Sequence, residues 1–162
     1  MIPLISTERS PRFSEMDGKY DALRLRNQLC FPLYLCSKEI TRRYQPLLEK
    51  LDLTYTQYVV MMYYWEMGSS TAKELSGALL LDPSTLTPIL RKLEKKGYLK
   101  RSRNPEDERS ILLSLTSEGL ALQDRALAVP AEMANCLGLK EEEAYQLGML
   151  LGKILTNVEK EL

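Results

Sequence analysis

Three cysteines, Cys30, Cys36 and Cys136, are the residues of this 162-residue chain best suited to chemistry, and the chain has no histidine. Without histidine there is no Ser-His-Asp or Cys-His catalysis and no His-based metal site. An odd count with no CxxC spacing argues against a structural zinc or a disulfide framework. What remains is a buried thiol or a redox-active one. A thiolate attacks the O–O bond of a peroxide, and the sulfenic acid formed condenses with a second thiol. Free cysteine is also among the most buried residue types, so the residues alone favour a core thiol. No cofactor and no metal is expected.

A second kind of chemistry lies in Asp82 to Gly97. Pro83 suits the first position of a helix, Asp82 its cap, and Gly97 its left-handed end. Leu86, Ile89, Leu90 and Leu93 fall on one face at helical spacing. Ser84, Thr85, Thr87, Arg91, Lys92 and Lys95 are left on the other. Small hydroxyls suit base edges in a major groove, and cations suit phosphates. Taken alone, this face favours a solvated surface helix, because charged outer faces are the default.

The elements around it decide between these readings. Thr71 to Glu74 is a capping box opening a short helix with Leu75, Ala78 and Leu79 inward, and Leu80-Leu81 connects it tightly to the basic helix. That is a helix-turn-helix pattern. Beyond Gly97, Tyr98–Arg103 and Ser110–Leu115 read as two strands joined by the charged loop Asn104 to Arg109. Such a basic hairpin forms a wing, with Lys100, Arg101, Arg103 and Arg109 placed to meet DNA. Helix-turn-helix and wing together favour a DNA-binding module.

Upstream, Tyr20 to Leu51 is helical in pattern, with Leu25, Leu29, Leu33, Cys36 and Ile40 along one side. Pro32 either kinks this helix or lies just inside a later start near Asn27, which would put Cys30 in the first turn. Pro46 suggests a bend. Thr54 to Met67 reads as a helix with Tyr55, Tyr58, Val59, Met62 and Tyr63 buried. Downstream, a helix capped by Thr116 or Ser117 runs to about Val129, where Pro130 interrupts. The tract 131–139 is ambiguous, and 140–162 is a last helix with Leu147, Leu151, Ile154 and Val158 on one stripe.

Composition narrows the class. At 44% hydrophobic the chain has ample material for a core, and no apolar run is long enough to span a membrane. The first twenty residues have no apolar core behind a basic start, so a cytoplasmic protein is expected. Net charge is zero, but seven Lys or Arg against one acid lie between Arg91 and Arg103. A neutral protein with one basic stretch can still bind DNA through that stretch. The fold expected is mainly α with a small β-hairpin wing. A flexible arm spans 1–19, N-terminal dimerisation and sensor helices 20–53, a winged helix-turn-helix 54–116, and C-terminal dimerisation helices 117–162. The broad apolar faces of the flanking helices imply a homodimer on a two-fold DNA site.

These residues resemble the MarR family of bacterial transcription regulators. Asp107-Glu108-Arg109-Ser110-Ile111-Leu112-Leu113-Ser114-Leu115-Thr116 matches that family's D-x-R-x-x-x-L-x-L-T signature, and the likeness covers roughly Tyr20 to Leu162. Asn27-Gln28-Leu29-Cys30-Phe31, Leu53 to Tyr58 and Leu81 to Pro88 look like the OhrR branch of organic hydroperoxide sensors. That resemblance implies Cys30 as redox sensor, Tyr34 and Tyr44 as its hydrogen-bond partners across a dimer, and Cys136 about where a resolving thiol stands. Pro32 and Cys36 are not part of its pattern, and Cys36 is taken as structural. Ser84, Thr85, Thr87 and Arg91 are implied in the groove, Lys92 and Lys95 near phosphates, and Pro88 as an apolar contact. In the wing, Arg109 is implied in the minor groove or on the backbone, with Asp107 orienting an arginine or simply turning the loop.

The partners that follow are a pseudo-palindromic double-stranded operator, a second copy of the chain, an organic hydroperoxide and, if Cys136 does not serve, a small thiol. The leading expectation is a repressor released by oxidation of Cys30. A repressor released by a small aromatic ligand is the alternative within the family. A thiol peroxidase is the alternative from another class.

Overall fold

The computed structural model describes residues 18–105, 107 and 109–159, so most of the arm expected over 1–19, the acids Glu106 and Glu108, and the last three residues of the chain lie outside the described residues. Seven α-helices and three strands follow in order among the described residues. They are α1 (Cys30–Glu49), α2 (Tyr55–Met67), β1 (Ser69–Thr71), α3 (Ala72–Leu79), α4 (Pro83–Lys95), β2 (Leu99–Arg103), β3 (Ile111–Leu115), α5 (Ser117–Ala126), α6 (Ala128–Leu137) and α7 (Glu141–Glu159). This is the mainly helical winged helix-turn-helix expected, with helices on both flanks.

Proline chemistry settles where α1 begins. Residues before it form two 3-10 turns, Asp21–Leu23 and Leu25–Asn27, rather than a continuation of the helix. Pro32 therefore lies in the first turn of α1, where its missing N–H leaves no helical bond unmade. Pro46, in contrast, sits inside α1. The chain turns only after Lys50, where Leu51 and Leu53 both donate backbone N–H groups to the Leu48 carbonyl at 3.0 Å. Pro130 likewise lies in the first turn of α6, not at the end of α5, and the tract from 131 to 137 is helical. In both Pro32 and Pro130 the ring tolerates a helix start.

The buried face of α2 differs from the expected stripe. Gln57, Tyr58, Val60, Met61 and Tyr64 are buried, while Met62 is exposed and Tyr55, Val59 and Tyr63 are half-buried. All eight residues from Tyr58 to Trp65 are apolar or aromatic, so periodicity alone selects no face. Buried Gln57 has its own reason. Its carboxamide oxygen accepts the Thr54 N–H at 3.1 Å, and its N–H donates to the Thr54 hydroxyl at 3.4 Å, closing a capping box.

The wing belongs to a three-stranded antiparallel sheet in the order β1-β3-β2, not to a bare hairpin. Ser70 and Arg101 flank Leu113 from opposite sides, and Arg103 faces Ile111. The short polar segment β1 carries too few residues to display alternation. Ser70 is buried and donates its hydroxyl to Tyr64 Oη at 3.4 Å. Burial pushes the Tyr64 phenol pKa up, so the group stays neutral.

A single core joins these elements. Leu48, Leu51 and Leu53 from the α1–α2 corner meet Leu75, Leu86, Leu90 and Leu93 of the helix-turn-helix, Leu99 and Leu113 of the sheet, and Leu122, Ala126 and Val129 of α5 and α6. Each fully buried leucine contributes about 1.5–3 kcal/mol. Ala78, expected inward, is exposed. Within the single chain, α7 leaves Leu147, Leu150, Leu151, Ile154, Leu155 and Val158 open.

Where α5 begins, the packing is tightest. Thr116 caps the helix by accepting the Gly119 N–H at 2.9 Å and donates its own hydroxyl to Gly97 O at 2.5 Å. Trp65 Nε1 donates to the Gly119 carbonyl at 2.9 Å, and a Cβ on Gly119 would lie 2.1 Å from the Tyr98 carbonyl oxygen. Gly119→Ala is expected to destabilise the fold by about 1–3 kcal/mol, the usual cost of overpacking. That is a fall in Tm of about 2–4 °C for each kcal/mol, read by thermal unfolding.

The capping box that opens α3 is as expected. Glu74 accepts the Thr71 N–H at 2.7 Å and the Thr71 hydroxyl at 2.9 Å, which hold its carboxyl below the usual carboxylate range. A folded pKa below the unfolded one stabilises above the unfolded value, and the gain is lost as pH falls through the folded one. Glu74→Gln is expected to be less stable than the parent at neutral pH, with the gap closing below the usual glutamate range. Thermal melts from neutral to acid pH read it; a gap that persists at acid pH contradicts the assignment.

Candidate nucleic-acid interface and thiol site

Helix α4 is presented by the turn before it. Leu80 ends α3 in the left-handed region at φ 51°, and Ser76 Oγ donates to the Leu81 carbonyl at 2.6 Å across the turn. Asp82 does not cap α4 with its side chain. Its backbone carbonyl accepts the N–H groups of Thr85 and Leu86 instead, each at 3.0 Å, and Pro83 has no N–H to cap. Gly97 takes φ 75° after the last turn, as its type requires.

Burial of Leu86, Leu90 and Leu93, with Ile89 half-buried, turns the opposite face of α4 outward. Ser84, Thr85, Thr87, Pro88, Arg91, Lys92 and Lys95 lie on that outer side, and all seven are exposed. Thr87 donates its hydroxyl hydrogen to the Pro83 carbonyl at 2.7 Å, so it offers outward a methyl group and oxygen lone pairs. Between α3 and α4 is a cleft of about 260 Å³, lined by Ala72, Lys73, Ser76, Pro83, Leu86, Thr87 and Leu90.

The wing is less free than its charge suggested. Arg101 gives its Nε to Glu94 at 2.6 Å, which locks β2 against α4. Arg103 and Arg109 are exposed at the strand end and in the loop. Asp107 Oδ1 accepts the backbone N–H of Arg109 at 3.0 Å, and its carbonyl accepts the Ser110 N–H at 2.9 Å. The Asp107 carboxylate thus shapes the turn that carries Arg109. Asn104 closes the loop by donating to Ser110 Oγ at 3.0 Å.

The three thiols are all exposed in the single chain, so none is the core residue that its type alone suggests. Cys30 is the first residue of α1, where unpaired backbone N–H groups carry partial positive charge. The turn before it is braced by Asn27 Nδ2 donating to the Asp21 carbonyl at 2.8 Å and by Gln28 donating to Ala22. Tyr34 is exposed one turn further on. Tyr44 lies about fourteen residues along the same helix, roughly 21 Å at the standard rise, so it cannot meet Cys30 within one chain. Its ring packs on Tyr55 at 4.9 Å and Tyr58 at 6.0 Å, and burial followed by the neighbouring Tyr55 pushes its pKa up. Cys136 stands near the end of α6, a helix that packs on α1. Cys36 is exposed on α1.

Two basic residues outside the expected site hold the corner between α1 and α2. Lys96 Nζ lies 3.0 Å from Asp52 Oδ2 and also donates to the Asp52 carbonyl, and Arg125 Nη2 donates to the Lys50 carbonyl at 2.7 Å. For Lys96 the one signal in the sequence was the basic stretch itself, in which it is indistinguishable from Lys95.

Comparison with known proteins agrees with this geometry. Residues 42–125 match the family model described as "Transcriptional regulator SarA/Rot". The chain is 42% identical over 144 residues to the organic hydroperoxide resistance transcriptional regulator of Bacillus subtilis (strain 168), covering 89% of this chain and 96% of that one. Its fold is similar to that of a single-site mutant of MarR from E. coli complexed with operator DNA, with a TM-score of 0.75 at 27% identity, covering 85% and 99% of the two chains. It is also similar to overoxidised AbfR bound to DNA, with a TM-score of 0.68 at 33% identity, covering 86% and 98%. These relatives are regulators, not enzymes. With its winged helix-turn-helix, the exposed basic face of its α4 helix and this degree of identity, the chain belongs to the MarR family of DNA-binding, winged-helix transcription regulators and is of the organic-hydroperoxide-regulator type.

Proposed function

We propose that the protein is a dimeric repressor of a pseudo-palindromic operator and that oxidation of Cys30 by an organic hydroperoxide releases it. The observation that carries this reading is the placement of an exposed Cys30 at the positive end of α1, in a chain so similar to a hydroperoxide-resistance regulator. The thiolate attacks one peroxide oxygen, and the O–O bond breaks. The sulfur becomes a sulfenic acid, and the other oxygen leaves as an alcohol after taking a proton. A second thiol then attacks the sulfenic sulfur and expels water, giving a disulfide.

Packing of α6 on α1 supports Cys136 as that second thiol, and a small cellular thiol serves where the two sulfurs do not meet. Tyr34 and Tyr44 donate to the Cys30 sulfur across the dimer. The raised pKa of Tyr44 keeps its hydroxyl a donor. The open apolar face of α7 supplies the dimer contact and sets the two copies of α4 at successive major grooves. There Ser84, Thr85, Thr87 and Arg91 meet base edges, Pro88 adds an apolar contact, and Lys92 and Lys95 meet phosphates. Arg103 and Arg109 extend the wing toward the minor groove. Arg101 acts mainly through Glu94, and Asp107 through the turn it shapes.

Treatment with one equivalent of an alkyl hydroperoxide is expected to abolish operator binding by the parent protein and to leave Cys30→Ser bound, in a gel-shift or anisotropy assay. Equal release of the serine variant sinks the thiol reading, and release by a small aromatic compound without oxidant favours a ligand-gated regulator. Arg91→Ala is expected to cost about 1–3 kcal/mol of operator affinity if Arg91 reads a base edge. A loss of the same size on any sequence, with the salt slope reduced by about one, assigns it to phosphate.

A further inference from the structure

We infer that Lys96 and Asp52 form a clasp that sets the axis of the reading helix, making Lys96 a positioning residue for DNA recognition and not a DNA contact. Lys96 follows the last residue of α4, inside the basic stretch, yet its ammonium turns back toward the protein. It pairs with the Asp52 carboxylate at 3.0 Å and donates to the Asp52 carbonyl as well. Its side chain is 25% exposed, and no such tie holds the ammonium groups of Lys92 and Lys95 among the described residues.

The surface that it grips is stiff. Asp52 sits at φ 54°, a conformation that few residue types adopt, and its N–H donates to the Glu49 carbonyl at 3.0 Å. On either side, Leu51 and Leu53 are buried. Arg125 holds the same corner from α5 through the Lys50 carbonyl at 2.7 Å.

Geometry gives the clasp its consequence. The N-terminal end of α4 is held by the turn through Ser76 and Leu81. Near the other end Glu94 is tied through Arg101 to β2, the strand that follows α4 directly, so neither tie reaches the α1–α2 corner. The Lys96 tie to that corner fixes the direction of the helix axis, and so the positions of Ser84, Thr85 and Arg91 relative to a groove. The corner is also the far end of the helix that begins at Cys30. The inference rests on α4 being the reading helix, but not on the peroxide chemistry.

The test uses the full-length reduced protein and a duplex that it selects from a random pool. Asp52→Asn keeps a residue type that tolerates the left-handed backbone and removes one negative charge. Simple electrostatics predicts tighter DNA binding for it. The clasp predicts about threefold weaker binding, because a charge-assisted contact is lost. Lys96→Met, which keeps the stem and loses both contacts, is expected to bind about tenfold more weakly, as loss of hydrogen bonds to a charged group implies. The double variant should bind no more weakly than Lys96→Met. Affinity for an unrelated duplex and the slope of log Kd with log salt should stay near the parent's.

Unchanged or tighter operator binding by Asp52→Asn overturns the clasp. So does a loss in Lys96→Met that is equal on both duplexes with a salt slope smaller by about 0.9, which marks a phosphate contact. Lower Tm with parental operator affinity in both variants reduces the pair to a structural tie and also overturns it. Normal binding by Arg91→Ala as well would remove α4 as the reader, and normal binding by Asp52→Asn alone removes only the clasp.

Discussion

The outward face of α4 depends on the burial of Leu86, Leu90 and Leu93. These three side chains are 2% exposed or less and pack into the core with Leu75, Leu113 and Leu122. A helix has only one orientation that buries such a stripe. Once it is adopted, Ser84, Thr85, Thr87, Arg91, Lys92 and Lys95 have no choice but to lie on the outer side. The hydrophobic contact selects which face of α4 turns outward, although no leucine can read a base.

Polar contacts then refine what burial only seats. Arg101 and Glu94 join the wing to α4, and Lys96 and Asp52 join that helix to the corner after α1. Thr116 joins the start of β2 to the start of α5. These ties are partly exposed, so each contributes little to stability by itself. Their value is geometric, because a hydrogen bond defines direction where a leucine defines only proximity. The wing tip follows the same logic, with Asp107 bonding the backbone that carries Arg109.

The thiols show a different dependence. Each is exposed, and the elements that carry them, α1 and α6, pack on one another at the edge of the winged unit. Tyr44 is held in an aromatic cluster with Tyr55 and Tyr58, far along α1 from Cys30. A sensor built from both therefore requires two chains. The apolar stripe of α7 is left open within the single chain, and the proposed dimer covers it.

How far residue types alone reach is clear from particular elements. The short helices with one apolar stripe, α3 and α4, were legible because a 3.6-residue period and local capping are properties of neighbouring residues. So were the two strands of the wing and the capping box at Thr71. The face of α2 was not, because an unbroken apolar run has no preferred side until neighbours surround it. Neither was β1, which becomes a strand only by pairing with β3. Lys96 and Arg101 look like any other bases in their stretch, and only the approach of Asp52 and Glu94, distant or off-period in the chain, pairs each with a carboxylate. Sequence by itself determined the short amphipathic helices, the two strands of the wing and the outward face of α4, since these rest on local chemistry. Tertiary structure alone decided which cations are held in clasps and which way the helices point, because those depend on contacts between residues that the chain keeps apart.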